Sequence, residues 1–417
     1  MSPEKKLGTL VYFTESYPYG ISEQWKKNEI EVFKKYFARI VVVPKSYAGN
    51  RTARNIVEGV EYLPPLFDEK VDRGTIQKLS VFAAAGSIRK FVREAVTSGA
   101  MRSTTKLKRL LNHYYQVGLM RSNPVYRDLL ETGNLPTTVF YYFWGIGSVD
   151  VIPLLSDFKP LKVCRFHGWD LYSERHAENY IPFQADLIRE LDLVLPCSDF
   201  GNKYLYAKFP FAGAKIKTAR LGTISHGTGR FSPDRTLKLV TCSSVSAVKR
   251  LSLLVKALAK LNIEVRWTHI GDGELMQSLR DEITELPKNV RTTLTGNIPS
   301  ENVLDLYRTG TFDLLLNVSE SEGVPVSIME SFSASIPVYA TDVGGTSEIV
   351  DDSVGKLLPA DIGPEMLARE LLGFFELPDD AKLRMREAAF ARYESMCNAY
   401  INAEELAQLL IGRRDNG

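Results

Sequence analysis

Residues 313–350 read DLLLNVSESEGVPVSIMESFSASIPVYATDVGGTSEIV, and this stretch decides the fold that the sequence predicts. The apolar run at 314–316 is typical of a buried strand in a parallel sheet. A short loop follows it, and Pro325 fits the first turn of a helix over 326–334, because a proline there lacks only an N–H that would have no partner. A second apolar run, at 337–341, predicts the next strand. This order of elements indicates one unit of a doubly wound α/β sheet.

Gly323 and two glutamates make the loop and the helix a candidate binding site. Gly323 removes a side chain where backbone N–H groups converge at the helix start, which carries free donors and partial positive charge. In open α/β sheets this position lies beyond the carboxyl end of a strand, where ligands bind. We therefore predict a pyrophosphate site there. Glu322 lies at the mouth of the loop, and Glu330 lies inside the helix, where a carboxylate can accept hydrogen bonds from ribose or sugar hydroxyls.

The same rhythm of strands and helices extends along the chain and predicts two domains. A single core rarely exceeds roughly 250–300 residues, so 417 residues favour two. Residues 225–235, SHGTGRFSPDR, are poor in large apolar side chains and predict an interdomain linker. We expect a first domain over 1–225 and a second over 236–395. Predicted strands lie at 10–14, 40–43, 139–143, 162–166 and 191–196, and then at 237–242, 264–270 and 312–317.

The bulk composition is typical of a globular protein, with 44% hydrophobic and 24% charged residues. No run reaches the ~18 consecutive apolar residues of a membrane-spanning helix, and the N-terminal sequence MSPEKKLGTLVYF has no signal-peptide core. Cys164, Cys197, Cys242 and Cys397 form no CxxC pair, which predicts reduced thiols rather than disulfides or a zinc site. We therefore expect a cytoplasmic protein that holds no metal.

Positive charge is concentrated between residues 70 and 128, where twelve Lys or Arg residues stand against three Asp or Glu residues. The simplest interpretation is the solvated face of helices. Two functional alternatives are attraction to an anionic membrane surface, at its cytoplasmic face, and attraction to a phosphate-bearing acceptor. We do not expect a nucleic-acid partner, since no recognition motif accompanies the charge.

The segment from Glu322-Gly323-Val324-Pro325 to Glu330 resembles the E-x7-E signature of retaining family 4 glycosyltransferases of the bacterial surface-polysaccharide type. The resemblance is clear from about 237 to 350 and thinner in the first half. It implies the GT-B fold, in which two Rossmann-like domains face a cleft, and a C-terminal helix, 396–417 here, that crosses back to the first domain. It also implies that Glu330 holds the nucleotide ribose. Glu322, with the backbone of 323–325, would contact the transferred sugar and phosphates.

The resemblance extends to the cations that would bind the donor phosphates. Lys249, in CSSVSAVKRL, matches the lysine of a basic pair in the family. Ser244 stands where the family has an arginine, and Arg250 stands where the family more often has glycine. We hypothesise that Arg250 supplies the missing charge. Asn297, in the segment LTGN, resembles a residue that lies against the nucleotide base.

In the first half, His167 lies in the sequence HGWD, which is similar to a His-Gly-x-Asp motif of the family near the transferred sugar. We predict that His167 donates a hydrogen bond to the sugar or to the leaving phosphate. Gly20 stands where the family lets backbone approach the donor or the acceptor. Tyr17, Tyr19 and Glu23 flank that loop and are candidates for acceptor contacts, although the sequence assigns no acceptor site.

These residues predict a hexosyl transfer from a nucleoside diphosphate sugar, with uridine favoured by family frequency alone, to a hydroxyl of a glycan, lipid-linked or protein acceptor. The resemblance implies retention of anomeric configuration. No cofactor is expected, because the helix dipole and Lys249 supply the positive charge that a metal would supply. Two alternatives remain open: a GT-B-like epimerase or phosphorylase, and a non-catalytic protein that binds sugar nucleotides within a polysaccharide complex.

Overall fold

The computed structural model describes residues 6–20, 23–67, 86–155 and 158–415. These residues divide into two compact units. One contains the described residues up to Ala219 together with those from Ala403, and the other runs from Arg220 to Asn402. No described helix has both the length and the apolar character needed to cross a membrane.

The first unit contains a parallel sheet of six strands in the order β3-β2-β1-β4-β5-β6. Its strands are β1 Leu7–Thr14, β2 Phe37–Pro44, β3 Glu61–Tyr62, β4 Thr138–Tyr142, β5 Leu161–Phe166 and β6 Leu193–Pro196. Its α-helices are α1 Lys26–Tyr36, α2 Ile88–Thr97, α3 Thr104–Ser122, α4 Pro124–Thr132, α5 Gly168–Leu171, α6 Gln184–Glu190 and α7 Asp199–Lys208.

The second unit repeats this architecture, with six parallel strands in the order β12-β11-β10-β7-β8-β9. Its strands are β7 Thr236–Cys242, β8 Glu264–Ile270, β9 Val290–Leu294, β10 Leu314–Asn317, β11 Val338–Thr341 and β12 Gly355–Leu358. Its α-helices are α8 Leu251–Leu258, α9 Met276–Thr284, α10 Ser300–Thr309, α11 Val326–Ser333, α12 Pro364–Glu376, α13 Asp379–Arg392 and the start of α14 Ala399–Asp415.

Helices cover both faces of the central strands, and this explains their continuous apolar sequences. Leu314, Leu315 and Leu316 point alternately to the two faces of their sheet, and all three are buried. β1 lies between β2 and β4 and is equally buried from Leu10 to Phe13. The predicted α/β class with two Rossmann-like units is therefore confirmed.

Several element boundaries differ from the predictions. Pro325 is not in the first helical turn: it immediately precedes α11, whose first residue is Val326. The C-terminal helix implied over 396–417 begins at Ala399, because a π-helical turn, Tyr393–Cys397, separates it from α13. Part of the basic stretch, 70–85, lies outside the described residues; the rest forms α2, α3 and α4.

Candidate active site

Two loops at the carboxyl ends of β10 and β11 pack against each other and fix the backbone around Glu322. The N–H of Gly345 donates to the carbonyl of Gly323 at 2.7 Å. Gly344 has φ +58°, and a Cβ on it would lie 2.1 Å from the carbonyl oxygen of Glu322. The second glycine is also closely packed, since a Cβ on Gly345 would lie 2.8 Å from the side chain of Val324. Glycine at 344 is thus favoured by both conformation and space, whereas Gly345, with φ −92°, is favoured by space alone.

Replacing Gly344 by alanine is expected to displace the Glu322 loop. An alanine at this φ is strained by about 1–3 kcal/mol, and the clash with the Glu322 carbonyl adds to that cost. We expect a lower free energy of unfolding in urea and weaker nucleotide binding by calorimetry. Gly373→Ala is the matched control: Gly373 lies inside α12 with nothing within 4 Å of the added Cβ, so this change should stabilise by about 0.5–1 kcal/mol. Unchanged stability and binding in Gly344→Ala would contradict this account.

Lys249 and Glu322, which are 73 residues apart in sequence, form an ion pair. Lys249 ends a 3-10 turn, Ala247–Lys249, after β7, and its Nζ lies 2.6 Å from Oε1 of Glu322. The amide of Asn317, the last residue of β10, also donates to that oxygen at 3.2 Å. The structure therefore brings the predicted phosphate-binding lysine and the predicted sugar-binding glutamate to one point beside the start of α11.

Arg250 lies next to this pair but is bonded to the protein backbone. It adopts φ +50°, and its Nε donates to the carbonyl of Val318 at 2.6 Å. Its Nη2 is buried and has no hydrogen-bond partner among the described residues. Ser244 is exposed, and its hydroxyl lies 3.3 Å from that of Ser246. Replacement of the missing family arginine by Arg250 therefore stays a hypothesis.

Glu330 is buried in the middle of α11, and burial raises the pKa of its carboxyl group to about 7. The hydroxyl of Ser300, the first residue of α10, donates to its Oε1 at 3.1 Å. The sequence analysis missed Ser300, because a serine at a helix start is ordinarily interpreted as a cap. Asn297 lies three residues before Ser300 in an exposed loop. The loop carries Gly296, whose carbonyl accepts from the N–H of Gly271 at 3.0 Å.

In the first unit, His167 is held between aromatic rings at the carboxyl end of β5. Its ring centroid lies 4.6 Å from that of Phe143 and 4.3 Å from that of Trp144. Asp170 accepts the backbone N–H of His167 and that of Gly145, each at 2.5 Å. Burial lowers the pKa of the imidazole; its Nδ1 lies 3.6 Å from Oδ2 of Asp170, and its Nε2 has no hydrogen-bond partner among the described residues. A neutral imidazole with unused donor and acceptor capacity can bind an incoming hydroxyl.

Glu23 is buried against the loop that contains Gly20, and its contacts are structural. Its Oε2 accepts the backbone N–H of Ser16 at 2.6 Å. Its Oε1 accepts the indole N–H of Trp144 at 2.8 Å and an ammonium hydrogen of Lys26. Burial opposes ionisation of Glu23, but these donors outweigh it and lower its pKa to about 2. Its oxygens are occupied by the loop itself, which argues against the expected acceptor contact of Glu23.

Gly20 has φ +67°, and its carbonyl accepts from Gln24 at 2.9 Å, while the next two residues lie outside the described part of the chain. Tyr17 is also a core residue: its side chain is inaccessible to solvent, and its hydroxyl donates to the carbonyl of Asn55 at 2.6 Å. This burial argues against the expected acceptor contact of Tyr17 as well. Tyr19 packs on Tyr47, with ring centroids 4.8 Å apart.

A second buried pair, absent from the sequence analysis, supports the same edge of the sheet. Arg165 of β5 donates from Nη1 to Oε1 of Glu29 on α1 at 2.8 Å, and the Tyr12 hydroxyl donates to Oε2 of Glu29 at 2.5 Å. The arginine side chain is 2% exposed and the glutamate side chain 9%. The signal that could have revealed this pair is a charged residue inside an otherwise apolar strand.

The four cysteines are free thiols, and among the described residues no group of three or more His, Cys, Asp or Glu side chains could hold a metal ion. The available chemistry of the second unit is thus a lysine–glutamate pair, a helix start and a buried carboxyl group, beside one another at the carboxyl edge of a parallel sheet.

The family of the second unit follows from comparison with known proteins. Residues 230–392 match the family model of glycosyl transferases group 1. These residues are therefore similar to the group 1 glycosyl transferases. The matched segment begins before β7 and includes Lys249, Glu322 and Glu330, so the ion pair and the buried carboxyl group lie inside the group 1 domain.

Relatives and solved structures extend the similarity beyond this domain. The chain is 29% identical to the putative colanic acid biosynthesis glycosyltransferase WcaL of Escherichia coli K12 over 59% of its length and 63% of the relative's, so it spans less than two thirds of that protein. It is 24% identical to the amylovoran biosynthesis glycosyltransferase AmsK of Erwinia amylovora over 96% of its own length and 98% of the length of AmsK.

Among solved structures, Anabaena Alr3699/HepE in complex with UDP and glucose matches with a TM-score of 0.63 and 16% identity. The match covers 96% of this chain and 98% of that one. Sucrose-phosphate synthase from Thermosynechococcus elongatus matches with a TM-score of 0.72 and 13% identity. The match covers 99% of this chain and 100% of that one. At these identities the structural likeness establishes a shared fold of both units.

Proposed function

We propose that this protein is a retaining glycosyltransferase of bacterial surface-polysaccharide synthesis that transfers a hexosyl group from a uridine diphosphate sugar to a glycan hydroxyl. The observation that carries the proposal is the ion pair between Lys249 and Glu322 beside the start of α11. The names of WcaL and AmsK, and the UDP bound to Alr3699/HepE, support the polysaccharide and the uridine assignments.

The charges of the second unit suit a departing diphosphate. The start of α11 presents backbone donors and a partial positive charge, and the ammonium group of Lys249 lies beside it. Both would stabilise the negative charge that grows on the diphosphate as the bond to the anomeric carbon breaks. Glu322 would accept hydrogen bonds from hydroxyls of the transferred sugar. Glu330 would accept those of the ribose.

Retention would follow from attack on the face that the diphosphate leaves. The acceptor oxygen forms a bond to the anomeric carbon, the bond from that carbon to the β-phosphate oxygen breaks, and the acceptor proton passes to the leaving phosphate. No side chain need become a covalent nucleophile. His167 would donate a hydrogen bond to the sugar or to the leaving phosphate in this scheme. We extend the proposal to peripheral contact of the basic helices with an anionic membrane.

The test is nucleotide release from UDP-, GDP-, ADP- and TDP-sugars by the wild type, with thermal-shift measurements on the same donors. Release from a UDP-sugar without loss of anomeric configuration in the product supports the proposal. Stabilisation by a donor with no turnover, even with glycan acceptors, would favour the non-catalytic binding protein. Free epimerised sugar without an acceptor would favour an epimerase. No stabilisation by any donor would refute the proposal.

The buried carboxyl group of Glu330 predicts a pH dependence of nucleotide binding. The ionised form accepts both hydroxyl hydrogens of a ribose, whereas the protonated form must donate one hydrogen itself. Because burial raises the pKa of Glu330 to about 7, the affinity for UDP should increase between pH 6 and pH 8 and then level off. The phosphate of UDP titrates as well, so the Glu330→Gln variant is the reference. Its affinity should be about tenfold lower at pH 8, and identical pH profiles would contradict the prediction.

A further inference from the structure

A cavity of about 380 Å³ in the first unit is separate from the residues assigned above. It lies beyond the carboxyl ends of β2 and β4, lined by Lys45 after β2 and by Ile146 and Gly147 after β4. One face of α3 forms its wall, with Arg109 and His113 one turn apart. Its volume lies within the range of about 300–1,000 Å³ that is typical of sites for small molecules.

The α3 wall carries buried polar atoms that the described residues leave without hydrogen bonds. Nε2 of His113 and Nε of Arg109 are both of this kind, and the side chain of His113 is 10% exposed. Their other atoms are held in place. Nδ1 of His113 lies 3.5 Å from a carboxylate oxygen of Asp150, and Nη2 of Arg109 lies 2.7 Å from Nδ1 of His176. Buried polar groups ordinarily have partners, so these two atoms indicate an absent one.

The lining combines positive charge with apolar surface. Lys45 and Arg109 carry positive charge, and Asp150, which accepts the N–H of Gly147 at 3.1 Å, supplies a carboxylate beside His113. Lys45 also forms an ion pair with Glu15, in which its Nζ lies 2.9 Å from Oε1. The side chain of Glu15 in this pair is 44% exposed. Apolar side chains complete the wall. They are Phe67, Met120, Ile146, Ile181 and Pro182.

The loop after β4 connects this cavity with the surroundings of His167. Its first residues belong to the His167 cluster, since Trp144 contacts the imidazole and Gly145 donates to Asp170. Its next two residues, Ile146 and Gly147, line the cavity. A ligand in the cavity would therefore lie one loop away from the imidazole that the proposed transfer uses.

We propose that this cavity binds the acceptor, and that the acceptor is a sugar ring bearing one anionic group, either the carboxylate of a uronate or a phosphate. Lys45 and Arg109 would bind the anion, because charge-assisted hydrogen bonds from such groups are the strong ones. Asp150 and His113 would bind ring hydroxyls, and the apolar wall would contact the C–H face of the ring. The inference rests on the proposed glycosyltransferase function.

Saturation-transfer NMR and calorimetry with glucuronate, glucose 1-phosphate and glucose test it on the full chain. At least one anionic sugar should bind at least about tenfold more tightly than glucose, which corresponds to about 1.4 kcal/mol. The ligand that binds identifies the carboxylate or the phosphate as the source of the charge. Equal binding of glucose, or no binding of either anionic sugar, would overturn the proposal.

Arg109→Gln should weaken binding of the anionic sugar about tenfold. Lys108→Gln is the matched control, because it removes the same charge from an exposed neighbour on α3. Lys45→Gln, at a partly exposed position, provides a second variant if Arg109→Gln unfolds. Equal effects of the Arg109 and Lys108 changes would refute the site.

Donor release by the wild type, measured separately, tests the proposed function. Release without binding of an anionic sugar would refute only the acceptor role of the cavity. Binding of an anionic sugar without binding of any donor would refute only the transferase function.

Discussion

Replacing Lys249 by methionine is expected to lower kcat/KM for nucleotide release by about 10²–10³-fold, the usual loss when one preorganised donor to a developing anion is removed. Methionine keeps the apolar stem and removes the ammonium group. The carboxylate of Glu322 then loses its cationic contact at 2.6 Å and keeps the neutral amide of Asn317 as a donor, so its negative charge is less well balanced beside the proposed phosphate site. The loss should therefore include repulsion of the diphosphate as well as the missing attraction. Steady-state kinetics with the preferred donor measures it.

Lys256→Met is the control for this change, since Lys256 is exposed on α8, the helix that follows Lys249, and should leave kcat/KM unchanged. Arg250→Met tests the compensation hypothesis in the same assay. If Arg250 also binds the donor, its replacement should weaken donor binding. Loss of donor binding in Lys249→Met but not in Arg250→Met would argue that Arg250 serves only to hold the carbonyl of Val318. A Lys249→Met variant with wild-type kinetics would refute the phosphate-binding role.

The central strands of both sheets could be predicted from sequence because they are apolar on both faces. The runs at 40–43 and 314–316 show this pattern without interruption. The sequence did not predict β3, β9 or β12, which lie at the ends of their sheets. There polar residues alternate with apolar ones, or the strand is only two residues long.

Site residues near one another in sequence could be predicted, whereas contacts across the fold could not. The spacing from Glu322 to Glu330 is visible in one segment, and family resemblance supplied Lys249. Nothing in the sequence shows that Lys249 bonds Glu322, because that contact depends on the register of β7 against β10. The hydrogen bond from Ser300 to Glu330 could not be predicted for the same reason.

Removing the charge of Glu29 is expected to destabilise the first unit by about 3–5 kcal/mol, the usual result of breaking a buried ion pair from one side. Glu29→Gln preserves the shape of the side chain but leaves the guanidinium of Arg165 without a counter-ion. That guanidinium is 2% exposed and lies 5.9 Å from the ring of Tyr141 and 5.5 Å from that of Phe143. Aromatic faces attract a cation only weakly compared with a carboxylate. Urea unfolding of the full chain, monitored by the fluorescence of its four tryptophans, measures the loss.

Two further variants separate the buried pair from general effects of charge on α1. Glu31→Gln removes a carboxylate from an exposed position on the same helix, where its Oε1 lies 3.8 Å from Lys27, so we expect a change within about 0.5 kcal/mol. Arg165→Met added to Glu29→Gln removes the stranded charge, and much of the lost stability should return, since apolar residues can replace a buried ion pair with little loss. Equal stability of the Glu29 and Glu31 variants would show that Arg165 reaches water. A double variant less stable than Glu29→Gln would show instead that the guanidinium packs the carboxyl ends of β4 and β5, beside the ring of His167.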